Sequence, residues 1–103
     1  MNNNNTNINH ATLNLYNIFL TVAQTMNLSA ASKRLFISQP AISKAVKQLE
    51  NELGTTLFFR NSRGVQLTED GELLYSHIFN AFNEIATGEQ LLNSRKELGI
   101  GRI

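Results

Sequence analysis

The sequence predicts a small, mainly α fold: three helices, a two-strand wing and one long following helix. Three observations carry this. A helical period opens on Ser38-Gln39-Pro40 and closes at Gly54; two short β-prone stretches flank Asn61-Ser62-Arg63-Gly64; and from Thr68 a second helical period continues to about Lys96. At 103 residues the chain is one small domain, or a fragment of a longer protein, with room for only a modest core.

Residues 1–11 are Asn-rich with almost nothing to bury and are expected to form a disordered leader. From Thr12 to Met26 the pattern is helical. Leu13, Tyr16, Leu20 and Ala23 form one stripe and Leu15, Ile18, Phe19 and Val22 another, so this helix needs cover on two sides. Asn27-Leu28-Ser29 reads as a turn, with Ser29 capping a short helix over Ala30–Leu35. Ser38 caps the next helix and Pro40 sits in its first turn, where a missing N–H costs nothing; Gly54 supplies the left-handed stop after Leu53. Thr55 to Arg60 and Val65 to Leu67 then pair as a hairpin. Thr68 caps the long helix, whose first turn carries Glu69 and Asp70 at the positive end of its dipole. Residues 12–68 are thus expected to form a winged helix-turn-helix and residues 69–97 one long following helix.

Stepping about 100° per residue, Ile42, Val46, Leu49 and Leu53 fall on one arc of the third helix and form its buried stripe. Pro40, Ser43, Lys44, Lys47 and Asn51 lie opposite, with Gln39 exposed at the start. Gln and Lys can hydrogen-bond base edges, and a short Ser lets the backbone approach closely. Net charge is only +1, but the six cations between Ser29 and Thr68 face two acids, a net of +4, while Glu69 onward carries −3. A charge block can be merely a solvated face; here Lys33 and Arg34 flank the turn, where they would meet phosphate, and Arg63 sits at the wing tip, within reach of a minor groove. Arg60 would pair with phosphate or, alternatively, with a neighbouring acid that holds the hairpin. These features suit a rod that enters a DNA major groove.

Phe19, Val22, Ala23, Ala30, Ala31, Leu35, Ser38-Gln39-Pro40-Ala41-Ile42-Ser43, Leu49-Glu50, Leu53-Gly54, Leu57-Phe58, Arg60, Arg63, Leu67-Thr68 and Gly71 together resemble the N-terminal domain of LysR-type transcriptional regulators. The resemblance covers about residues 12–96. It implies sequence-specific binding of double-stranded promoter DNA as a dimer on a dyad-symmetric site, with possible higher assembly of the whole protein. By position, Gln39, Pro40, Ser43 and Lys44 would read the groove, Ser29, Lys47 and Arg60 would hold phosphate, and Arg63 would be the wing-tip contact. With Lys33, Arg34 and the capping Ser38 these make the expected DNA-contacting set. The sequence departs from the family pattern at Tyr16, usually a smaller aliphatic residue, and at Asp70, usually a small one. Residues 98–103 resemble the start of an effector-binding domain, the only place where a small-molecule effector is expected.

The long helix argues for dimerisation independently. Leu74, Ile78, Ala81, Ile85, Gly88 and Leu92 repeat as an a/d seam, beside a second stripe of Tyr75, Phe79, Phe82 and Ala86 that can cover the first helix. The alternative is a helix packed only on its own domain. No enzyme, cofactor or metal is expected: Cys is absent, the two His are distant, and neither a phosphate loop nor a Ser/His/acid grouping stands out. No apolar run spans a bilayer and no signal peptide is visible, so the expected location is cytoplasmic. A competing class is a winged-helix protein-interaction module without base reading.

Overall fold

A helix needs something to replace the partners missing at its first amides, and each helix of this chain finds it in one side chain. The computed structural model describes residues 9–99. Asn9 accepts from the Thr12 amide at 2.9 Å, and α1 runs His10–Thr25. That cap starts the helix before Thr12, so residues 9–11 are not part of a disordered leader. The remainder of the expected leader, residues 1–8, and positions 100–103 of the expected effector-domain junction lie outside the described residues.

Met26 ends α1 in the left-handed region (φ 53°), leaving Asn27 alone as extended linker before α2, Leu28–Leu35. The Asn27 side chain accepts from the Ala30 amide at 2.8 Å, so Asn27 is the cap and Ser29 rides exposed inside the first turn. Phe36 ends α2, again left-handed (φ 60°), and the Ser32 hydroxyl donates to the Ile37 carbonyl to close the turn. α3 spans Gln39–Leu53 between the cap Ser38 and Gly54 (φ 71°), as the sequence indicates.

Phe36 is 92 % exposed, so it contributes little packing while its Cβ strains the left-handed turn. Asn tolerates that conformation at lower cost, by about 1 kcal/mol. Phe36→Asn is therefore expected to raise Tm by about 4–8 °C in a melt followed by circular dichroism.

β1 (Phe58–Asn61) and β2 (Gly64–Leu67) pair antiparallel, Phe58 opposite Leu67 and Arg60 opposite Val65, around a Ser62-Arg63 tip. β1 is shorter than the expected Thr55–Arg60 because the preceding backbone bonds elsewhere. The Glu50 carboxylate of α3 accepts from the Leu57 and Phe58 amides at 2.7 and 3.2 Å, and the Thr68 hydroxyl donates to the Thr56 carbonyl. Side-chain alternation puts Phe58, Arg60, Val65 and Leu67 on the inner face of the hairpin.

The core gathers Ile18, Phe19 and Val22 of α1, Ala31 of α2, Ile42 and Leu49 of α3, and Leu57, Phe58 and Val65 of the wing. The Phe19 and Phe58 rings meet at 5.4 Å. Val46 joins partly, whereas Leu53, expected in the buried stripe, is 43 % exposed: the last turn of α3 runs past the edge of the core. Tyr16 fills its site half-buried against the cluster, and Asp70 accepts the Thr55 hydroxyl, which accounts for both departures from the family pattern.

α4, Glu69–Glu97, is capped by Thr68 and has Glu69, Asp70 and Glu72 in its first turn. Gly71 is buried, and Leu74, Tyr75 and Ile78 follow it onto the core, giving α1 its second cover. The first two predicted seam positions therefore pack within their own domain, because the direction in which Gly71 faces the wing also turns Leu74 and Ile78 inward. From Asn83 to Glu97 every residue is exposed. The arrangement is a winged helix-turn-helix with a projecting helical arm, 54 Å along its longest axis.

Candidate nucleic-acid interface

α3 presents its polar face because Ile42 and Leu49 anchor the other one at 0 and 1 % exposure. Gln39, Pro40, Lys44 and Lys47 are all exposed along the outward side, with Ser43 half-buried among them. Ser38 stands at the mouth, its Oγ committed to the Ala41 amide at 3.2 Å, so what it offers a ligand is mainly its hydroxyl proton.

Two clefts bring the expected residues together from separate elements. One, of about 290 Å³, joins Asn27 and Ser29 at the start of α2 with Gln39 at the start of α3 and Arg60 and Asn61 of the wing. The N-terminal ends of two helices border it, and their dipoles favour an anion there. The other, of about 250 Å³, lies between α3 and the inner face of the wing and holds Ser43, Lys47, Glu50 and Arg60. Asn27 and Asn61 were not among the expected contacts. Their side-chain oxygens are used by the Ala30 and Arg63 amides, which leaves their NH₂ groups to donate. In sequence each reads only as a turn residue, and nothing there indicates that the two turns meet.

Arg60 pairs with no acid among the described residues; its Nη2 donates to Ser43 Oγ at 2.8 Å, which leaves its other N–H groups to meet a phosphate. Glu50 lines the same cleft but is held through Oε2 by two wing amides, and strand alternation aims Arg60 inward over Val65. Lys33 and Arg34 are exposed in the last turn of α2 but line neither cleft, and Arg34 donates to the Gln24 side chain at 3.3 Å. Arg63 is exposed at the tip and borders a separate hollow with Gln66 and Glu72. Among the described residues, no group of three or more His, Asp or Glu is arranged to hold a metal ion. No described helix is long and apolar enough to cross a membrane.

Known proteins share this arrangement. The family described as bacterial regulatory helix-turn-helix protein, lysR family, matches residues 13–72. The HTH-type transcriptional regulator XapR of Escherichia coli (strain K12) is 42 % identical over 95 residues, 85 % of this chain and 32 % of that protein. The regulator AlsR of Bacillus subtilis (strain 168) is 38 % identical over 84 residues, 80 % of this chain and 28 % of the other. The chain thus spans about a third of the length of such relatives. Among solved structures, the BenM_DBD/catB site 1 DNA complex superposes with a TM-score of 0.71 at 28 % identity, over 87 % of this chain and 98 % of that one. CbnR, a LysR family transcriptional regulator, gives 0.67 at 33 % identity, over 80 % of this chain and 28 % of that one.

Proposed function

Because the chain belongs to the lysR family of bacterial regulatory helix-turn-helix proteins, we propose that it is the DNA-reading part of a transcription regulator, binding a dyad-symmetric promoter site as a dimer. The observation that carries this is the exposed Gln39, Lys44 and Lys47 row of α3, bordered by clefts that add Ser29, Ser43 and Arg60. In this reading Gln39, Pro40, Ser43 and Lys44 meet base edges. Ser29 and Lys47 hold phosphate, helped by Lys33, Arg34 and the Ser38 hydroxyl, and Arg63 reaches the flanking minor groove. The arm of α4 joins two copies through Ala81, Ile85, Gly88 and Leu92; Ile85 and Leu92 are 57 and 58 % exposed and need cover. A dimer of this kind sets its two reading heads about one or two duplex turns apart. A DNA-bound regulator of this kind works in the cytoplasm.

Fluorescence anisotropy with duplexes from a binding-site selection tests the reading. With about four phosphates neutralised per subunit, log K should fall against log salt with a slope near −7 for the dimer, from ~0.9 per phosphate. Gln39→Ala should lose about 1–3 kcal/mol of discrimination at one base pair, whereas Lys47→Ala should weaken all duplexes about equally. Selection that returns no preferred sequence would instead favour a protein-docking module.

A further inference from the structure

We propose that Arg60 sets the specificity of Ser43: from the inner face of the wing it fixes the Ser43 hydroxyl as a hydrogen-bond donor, so that Ser43 selects a base edge carrying an acceptor. The inference rests on the DNA-reading function above and names a determinant within it.

The geometry begins with the hairpin register. Arg60 lies opposite Val65, and both share the inner face with the buried Phe58, so the Arg60 stem leaves the strand toward α3 rather than away from it. At the end of that stem Nη2 donates to Ser43 Oγ at 2.8 Å, joining residues seventeen apart in sequence across the cleft that also holds Lys47. A serine hydroxyl has one proton and two lone pairs. One lone pair is now occupied by a cation, which polarises the O–H bond and makes the oxygen a poorer acceptor for anything else. Among the described residues the Ser43 proton has no acceptor, and the residue sits on the outward side of α3 beside Lys44 and Lys47.

The consequence follows from the pattern of the major groove. Purine N7, guanine O6 and thymine O4 accept, while cytosine N4 and adenine N6 donate. A hydroxyl locked as a donor with a guanidinium behind it favours the first set. It disfavours the second, because an amino group would meet both the engaged oxygen and the positive charge. A free serine would not discriminate, since it can donate or accept. Arg60 is then a positioning residue whose effect is seen at one base pair, unlike a phosphate clamp, which acts on every sequence alike.

The test measures Kd for wild type, Ser43→Ala, Arg60→Met and the double variant, on the selected duplex and its single-base-pair variants, across salt concentrations. Arg60→Met and Ser43→Ala are expected to flatten the preference at the same base pair by roughly threefold to tenfold. The double variant should be no flatter than either single one. Arg60→Lys keeps the charge without the planar fork, so it should retain overall affinity while still losing part of that preference; it also carries the comparison if Arg60→Met lowers Tm. The inference is overturned if Arg60→Met weakens every duplex by one factor with a salt slope shallower by ~0.9 per subunit. Full rescue by lysine, or effects that multiply with those of Ser43→Ala, would overturn it too. A wild-type protein with no base-pair preference at all would be a different failure, of the DNA-reading proposal itself.

Discussion

Gly71→Ala is expected to lower stability by about 3 kcal/mol, roughly a 15 °C fall in Tm. Helix propensity alone predicts the opposite sign, since Ala exceeds Gly by about 1 kcal/mol inside a helix. Sterics decide the outcome. A Cβ at Gly71 would lie 2.2 Å from the Leu57 carbonyl oxygen and 2.9 Å from a Leu67 methyl. That carbonyl cannot step aside, because it accepts the Thr68 amide at 2.9 Å at the root of the wing. Accommodating one methyl would therefore lever α4 off the hairpin. Gly88 supplies the control within one chain: no atom of that chain lies within 4 Å of its would-be Cβ, so Gly88→Ala should leave the Tm of the monomer's own fold unlowered, whatever it does to the seam between copies. A melt in which the Gly71 variant matches wild type would remove this account of how the arm is seated.

The second large effect concerns assembly. Ile85→Asp combined with Leu92→Asp should convert the proposed dimer to monomer in sedimentation equilibrium with little change in the Tm of the reading head. Both side chains are more than half exposed in the single chain and contribute little to its core. On a duplex with two half-sites the loss should reach about 10²-fold, because the second head no longer binds at the effective concentration that linkage provides. A duplex with a single half-site should show almost no change. Persistence of the dimer would place the interface elsewhere than on Ala81, Ile85, Gly88 and Leu92.

Legibility in the sequence followed the strength of local backbone chemistry. α3 is readable to the residue because Ser38, Pro40 and Gly54 each favour a particular backbone state. The start of α2 is not. Asn27 and Ser29 are both good caps, and what decides between them is a left-handed Met26, for which methionine carries no signal. Leu74 and Ile78 show a different limit. Heptad spacing says that a side is apolar and leaves open what covers it; only the burial of Gly71 assigns the first two positions to their own core. Most of the expected interface residues stand exposed on the faces that periodicity gives them. Arg60 escaped because its partner depends on strand register and on a tertiary approach across seventeen residues.

The inward aim of Arg60 also constrains how the wing can diversify. Each added residue in a strand inverts every side chain beyond it. A one-residue insertion between Phe58 and Arg60 would swing the guanidinium to the opposite surface and leave Ser43 unrestrained, while an insertion of two would restore its heading but carry it about 7 Å farther along. Changes at the Ser62-Arg63 apex leave that heading alone. Length variation at the apex thus moves only the Arg63 contact, whereas at the base it obeys a parity rule, so lineages can lengthen the hairpin without losing the serine's orientation only by growing it from its end.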